Sequence, residues 1–330
     1  MPLTHSYPLL LGDIGGTHAR FAWLTEPGTA LSHVETLVCS DYANFEDALA
    51  HYVSSSIGTA KPMRASLAIA SAVPKSGPIK VTNGYWVLNR EHLRAMWGMS
   101  EVTVYNDFEA IAFVLPHLDA GDYRTIGTAR PDGQSVMAVI GPGTGLGVAT
   151  TVPIVGQPGA WQAVCGEGGH ATLAAASPYQ ANVIAAARAR NHHVSAERFV
   201  SGVGLPELYR AVAEVEGLPA DHSFNAERIG SLGSANLDPL CRLTMNLFCE
   251  FLGNVAGNLA LTTGARGGVF IGGGIIPKLG EFFFQSGFRE YFESKGSFQH
   301  YLVPISTALI TTPYPALLGL AHHANNPRPG

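Results

Sequence analysis

Two apolar runs, residues 9–11 and 19–24, flank the glycine-bearing turn Gly12, Asp13, Ile14, Gly15, Gly16 and Thr17, a pattern that predicts a β-hairpin over residues 7–24. A third strand is expected at 34–40. Over 44–56 the apolar positions Phe45, Leu49 and Tyr52 or Val53 recur at helical spacing. Residues 65–70 read as a buried strand, 89–97 as a short helix, and 101–105 as another apolar strand that delivers Asn106 and Asp107 at its carboxyl end. Strand, helix, strand order implies a parallel α/β sheet. In such sheets ligands gather at the carboxyl ends of the strands.

A polar, glycine-bearing stretch at 121–134 interrupts the pattern, and a second hairpin begins at Val136, its turn reading Gly141, Pro142, Gly143, Thr144, Gly145, Leu146 and Gly147. From about Pro178 the spacing becomes helical. Residues 178–190 form one candidate and residues 238–262 the longest, with Leu240, Leu243, Leu247, Phe251 and Leu252 as its apolar stripe. Gly253 and Gly257 within it mark either a break or close packing. A buried strand over 268–274 ends in Gly272, Gly273 and Gly274, and a last strand over 308–312 precedes a short helix at 315–323 and a tail expected to be disordered.

The recurrence of a glycine-threonine turn between apolar runs points to a duplicated architecture. Backbone N–H groups on such turns form anion sites, because glycine permits positive φ and lets phosphate approach closely. Two copies predict phosphate held between two halves, hence a nucleotide-using enzyme. There is no GxxxxGK[ST] loop, and Leu146 stands where a GxGxxG fingerprint needs its last glycine. Walker-type and Rossmann-type binding are therefore disfavoured.

Composition narrows the classes further. The 330 residues allow two domains and a large core. Glycine, 38 residues against a usual share of ~7%, sits in short motifs inside apolar segments, so it is architectural rather than linker. A formal charge of −5 offers no basic face for nucleic acid. No segment approaches the ~20 apolar residues of a spanning helix, and the start lacks a basic region followed by an apolar stretch. A soluble cytoplasmic protein with no membrane or nucleic-acid partner is expected. Cys39, Cys165, Cys241 and Cys249 are far apart without a CxxC, so they read as buried or semi-buried thiols rather than a zinc site or disulfide scaffold.

Several side chains carry candidate chemistry. Asp13, inside the first phosphate turn, would repel phosphate unless a cation intervened. Magnesium, which takes one or two carboxylates, water and nucleotide oxygens, is favoured over simple turn stabilisation. Asp107 at a strand end is placed to take a proton from an attacking hydroxyl, but on position alone a helix N-cap is the stronger reading. Glu167 and His170, in Gly166-Glu167-Gly168-Gly169-His170, suit the hydroxyls of a polyol. Their spacing is also that of a metal pair, for which no third ligand is evident. Glu197, taken by itself, is more readily a capping or surface carboxylate.

The ordered motifs GDIGGTHAR, YNDFEA, GPGTGLG, GEGGH, SAERFVSG and GGVFIGGGIIP, spread from residue 12 to residue 277, together resemble the bacterial glucokinase family. The resemblance covers nearly the whole chain and reverses the single-residue readings of Asp107 and Glu197. It implies an α/β fold of the duplicated actin-like (ribonuclease H-like) type, two domains with an interdomain cleft. The expected division is a small domain of residues 1–115 plus 312–330 and a large domain of 116–311 with helical insertions. It implies transfer of phosphate from ATP to the 6-hydroxyl of D-glucose, with Mg2+, feeding glycolysis. Asp107 would be the general base; Asn106, Glu167, His170 and Glu197 would hold the other hydroxyls. Gly12, Asp13, Ile14, Gly15, Gly16 and Thr17, with Gly143, Thr144 and Gly145, would hold the phosphates, and Gly272, Gly273 and Gly274 would lie near the adenosine. A homodimer is expected from the resemblance alone.

Two departures stand out: His18 replaces the asparagine of the family's GGTNAR, and residues 71–80 lack its Ile-Thr-Gly-Asp. The CxCGxxGC zinc cluster of the related repressor/open-reading-frame/kinase family is absent, which places the chain in the zinc-free group. The alternatives are a kinase for mannose or glucosamine, a polyphosphate-dependent donor reaction, and a sugar-indifferent actin-like ATPase. A sugar-sensing regulator would need a DNA-reading helix-turn-helix ahead of Gly12, where only eleven residues stand.

Overall fold

The computed structural model describes residues 7–325. Up to His117 the chain forms β1 (Leu9–Ile14), β2 (His18–Leu24), β3 (Ser32–Val38), α1 (Phe45–Tyr52), β4 (Arg64–Ile69), β5 (Ile79–Lys80), β6 (Val87–Leu88), α2 (Arg90–Trp97), β7 (Glu101–Asn106) and α3 (Asp107–Val114). From Leu118 to Thr312 it forms β8 (Tyr123–Ile126), β9 (Met137–Pro142), β10 (Leu146–Pro153), β11 (Trp161–Gly166), α4 (Pro178–Arg188), α5 (Leu205–Glu216), α6 (Ala226–Ser234) and α7 (Pro239–Thr263). Then come β12 (Gly268–Ile271), α8 (Ile276–Leu279), α9 (Glu281–Phe284), α10 (Phe288–Glu293), α11 (Gln299–Leu302), β13 (Thr307–Ile310) and finally α12 (Pro315–Asn325). Two compact units result among the described residues: 7–117 with 313–325, and 118–312. The tail expected to be disordered begins beyond α12, and residues 326–330 lie outside the described residues.

The first unit holds a sheet in the order β3-β2-β1-β4-β7, and the second a sheet in the order β11-β10-β9-β12-β13-β8. The duplication is visible here: each sheet is an antiparallel meander of three strands whose first member continues into two parallel strands. The sheets are therefore mixed rather than wholly parallel, because tight turns join the first three strands of each and only crossovers allow parallel pairing. In the second unit β8 adds an antiparallel edge to β13. It falls in the stretch that reads from sequence as polar loop, as β11 falls in one with no apolar alternation. β11 is exposed at Gln162, Val164, Cys165 and Gly166 and buries only Ala163, so its sequence carries no alternating buried face. Cys39, Cys241 and Cys249 are buried as expected, but Cys165 on this edge strand is exposed.

Each unit has its own core. In the first, Phe21, Phe45, Tyr52 and Trp86 close around the sheet and α1. In the second, Phe248 and Phe251 of the 25-residue α7 are buried in one cluster with Phe199, Phe283 and Phe288. Gly253 and Gly257 cause no break in α7. A Cβ at either would overlap the carbonyl oxygen of Phe288 or Phe292, so these glycines let α10 pack directly on the α7 backbone. Among the described residues no helix is long and apolar enough to cross a membrane.

Candidate functional site

The candidate residues fall into two sets, one in each unit. In the first unit the parallel register sets Ile14, Ile69 and Asn106 side by side at the carboxyl ends of β1, β4 and β7. The Gly15-Gly16-Thr17 turn and the Asn106-Asp107 pair thus sit on one sheet edge, where α/β sheets collect ligands.

The first turn is tight for a reason other than the positive φ expected of it. Neither Gly15 nor Gly16 has a positive φ. A Cβ on Gly16 would stand 2.6 Å from the carbonyl oxygen of Asn83, so close approach of two turns requires the glycine. Gly15 N–H donates to His18 O at 3.0 Å. His18 itself is exposed at the start of β2, and nothing in the structure explains its place in the motif.

Antiparallel pairing puts Arg20 directly opposite Asp13, and Arg20 Nη1 donates to Asp13 Oδ2 at 3.1 Å. Burial nevertheless pushes the Asp13 carboxyl above its usual range, with the Arg20 charge and hydrogen bond only partly opposing it. A half-buried acid desolvated at net cost, with acceptor capacity beyond its bond to Arg20, fits a divalent cation as a further partner. Among the described residues no group of three His, Cys, Asp or Glu side chains is gathered to hold a metal. One carboxylate completed by nucleotide oxygens and water is the donor set that magnesium accepts.

At the end of β7 the cap belongs to Asn106 rather than Asp107. Asn106 Oδ1 accepts from Phe108 N at 2.9 Å and Glu109 N at 3.3 Å, while its Nδ2 donates to Ser71 O at 3.2 Å. Asp107 is the first residue of α3, half-buried, and its Oδ1 also accepts from Phe108 N at 3.0 Å. Asn106 fixes the helix entry and so places Asp107 at the first position of α3.

In the second unit the β9–β10 turn closes with Gly143 N–H donating to Gly145 O at 2.8 Å, and Gly143 and Gly145 also lack positive φ. Beside it, Gly272 N–H donates to Ile140 O at 2.9 Å. Gly273 has φ 81°, and a Cβ there would stand 2.5 Å from Pro142 O. The three-glycine stretch after β12 therefore lies against the end of β9, beside the β9–β10 turn.

β11 delivers Glu167 and a single helical turn over residues 168–170. His170 Nε2 stands 3.9 Å from Glu167 Oε2, and His170 Nδ1 stands 3.8 Å from Glu197 Oε1. The structure thus gathers Glu167, His170 and Glu197, which the sequence separates by up to thirty positions. A cavity of about 530 Å³ includes His170 and Glu197 and is also lined by Arg190, His192, His193 and Arg198. Sequence reasoning missed those four. The run Arg188 to His193, dense in arginine and histidine directly before the Ser195-Ala196-Glu197 motif, was the available signal.

Known proteins share this fold. The sequence pattern of the glucokinase family matches residues 10–327. A glucokinase from Aromatoleum aromaticum is 44% identical over 321 residues, covering 97% of this chain and 96% of that protein. The crystal structure of a glucokinase from an Antarctic psychrotroph superposes with a TM-score of 0.85 at 35% identity, covering 97% of this chain and 99% of that one. A ROK family glucokinase from Streptomyces griseus, solved with glucose and AMPPNP, shares the fold at 18% identity and a TM-score of 0.62, covering 97% of this chain and 100% of that one. The fold is the actin-like α/β architecture of sugar kinases. With a match of this extent and identity added to the repeated meander and its two glycine turns, the chain belongs to the glucokinase family.

Proposed function

We infer that the protein transfers the γ-phosphoryl group of ATP to the 6-hydroxyl of D-glucose, giving ADP and glucose 6-phosphate. The family match over residues 10–327, with a glucokinase 44% identical over nearly the full length, carries this conclusion.

Asp107 is our candidate general base. Its position at N1 of α3 fixes the carboxylate, so a sugar hydroxyl presented to it would lose its proton as the oxygen attacks phosphorus. Asn106, Glu167, His170 and Glu197 are proposed to hold the remaining hydroxyls. Asn106 can serve only with hydrogen-bonding capacity beyond its cap and its bond to Ser71. Carboxylate oxygens accept from paired hydroxyls and imidazole donates or accepts, so Glu167, His170 and Glu197 offer a polyol complementary partners. Residues 12–17 and 143–145 are proposed to receive the donor phosphates through backbone N–H groups, and Gly272, Gly273 and Gly274 to lie along the adenosine. Asp13 would hold magnesium, which when bound neutralises charge on the phosphate oxygens. A cytoplasmic homodimer feeding glycolysis completes the proposal and rests on the family relationship.

A coupled assay scanning glucose, mannose and glucosamine against ATP, GTP and polyphosphate tests the activity. Glucose with ATP should give the highest kcat/KM. Nucleotide hydrolysis indifferent to any sugar would replace the kinase by an ATPase.

A further inference from the structure

Glu197 makes a contact that sugar binding does not require. Its Oε2 accepts from the backbone N–H of Leu146 at 2.8 Å, the first residue after the second phosphate turn. Its Oε1 faces His170 Nδ1 at 3.8 Å. The fit around Oε2 is close enough that a Cβ on Gly145 would overlap it. The same segment braces both loops through backbone bonds: Glu197 N–H donates to Gly169 O at 2.8 Å, Gly202 N–H to Gly143 O at 2.9 Å and Val203 N–H to Thr144 O at 3.3 Å. Ser201 Oγ donates to Glu197 O at 2.8 Å and accepts from Gly204 N at 2.9 Å, which stiffens the segment itself. Gly169 is packed so closely on Leu146 that a Cβ there would overlap the Leu146 carbonyl oxygen.

We propose that Glu197 is a positioning residue for the phosphoryl donor: a sugar held by one carboxylate oxygen fixes the other oxygen on Leu146 N–H and so orders the 143–145 turn before nucleotide arrives. This rests on the assignment of Glu197 as a sugar contact. The carboxylate side chain is about a third exposed, with Oε2 hydrogen-bonded to Leu146 N–H and Oε1 approached by His170 Nδ1 only at 3.8 Å, beyond hydrogen-bond distance. A hydroxyl donating to Oε1 restricts its rotation, and the nucleotide then binds to a turn already ordered. Ordering shared in this way is a coupling free energy, and it is reciprocal: nucleotide must tighten glucose by the same factor.

Amide hydrogen exchange at Leu146 in the full chain, with and without saturating glucose and with no nucleotide present, reads the contact directly. Glucose should slow that exchange by about 5-fold or more, the lower end of ordinary coupling. It should also lower the Kd of a non-hydrolysable ATP analogue by a similar factor. In Glu197→Gln, studied at sugar concentrations that restore saturation, the Leu146 response should vanish and the effect of glucose on nucleotide Kd should shrink. Gly145→Ala, which keeps the Glu197 side chain but forces its carboxylate off Leu146 N–H, should give the same loss of coupling. Wild-type exchange at Leu146 that ignores bound glucose, or coupling that persists undiminished in both variants, overturns the proposal while leaving the sugar site standing. Unchanged glucose affinity in Glu197→Gln overturns the proposal and the sugar assignment of Glu197 together.

Discussion

Replacing Gly16 by alanine tests the phosphate role proposed for the first glycine turn. An alanine Cβ would stand 2.6 Å from Asn83 O, 2.9 Å from Asn83 C and 3.0 Å from Thr82 O, all backbone atoms. One of the two backbones must retreat by about 0.8 Å to recover an ordinary contact. The Asn83 side is pinned, since Thr82 N–H donates to Ala70 O at 3.0 Å, Val81 N–H to Trp86 O at 3.1 Å and Gly84 N–H to Val81 O at 3.2 Å. The phosphate turn therefore moves. Overpacking of this kind costs about 1–3 kcal/mol, which a domain stable by about 5–15 kcal/mol survives folded. Misplacing a positioning group by about 1 Å costs up to about 100-fold in rate, so a shift of this size should lower kcat/KM for ATP by about 10- to 100-fold. Initial-rate kinetics varying ATP at saturating glucose, with calorimetry for glucose binding, provide the measurement. Gly230→Ala in α6, where an added Cβ meets nothing within 4 Å, serves as the control and should leave kinetics unchanged. A Gly16→Ala enzyme with kcat/KM for ATP within twofold of wild type would refute the reasoning.

Three other substitutions probe separate links. The folded chain holds the Asp13 proton to higher pH than the unfolded chain does, so wild-type stability should fall relative to Asp13→Asn as pH rises from about 4 through the folded pKa. Thermal melts with a chelator present check the sign, and the same variant should need more magnesium for turnover. His117, stacked on His322 with ring centroids 4.2 Å apart, is pushed down to about 4 by burial and by its neighbour's charge. The folded state then binds fewer protons than the unfolded one between about pH 4 and 6.5, so stability should rise with pH across that window, and His117→Gln should flatten the rise in pH-dependent melts. An alanine Cβ at Gly319 in α12 would overlap the Ala110 carbonyl in α3. Gly319→Ala should lose about 1–3 kcal/mol in urea unfolding despite its higher helix propensity, and equal stability would contradict the packing.

The features legible in the sequence were those written in short stretches. Glycines set between apolar runs announced both hairpin turns, and a β-branched strand running into Asn106 and Asp107 placed that pair at a sheet edge. The order of motifs gave the family. What escaped depended on partners far along the chain or on register. The bond between Glu197 and Leu146 joins positions fifty-one residues apart, and Arg20 meets Asp13 only once the β1–β2 register is known. The helix cap moved by one residue because Asn106 and Asp107 are both good caps, and only backbone geometry separates them. Positive φ was the wrong reason for glycine in both glycine-threonine turns. Close approach to Asn83 and to Glu197 is the reason the structure supplies, and neither neighbour can be read from the motifs.

The central claim, glucose phosphorylation with Asp107 as base, meets its most direct test in Asp107→Ala. The helix should survive, because Asn106 Oδ1 still accepts from Phe108 N at 2.9 Å. With ATP and glucose both saturating, kcat should fall by about 100-fold or more, the usual contribution of a general base, while calorimetry finds glucose still bound. A variant that keeps more than about a tenth of wild-type turnover would contradict it.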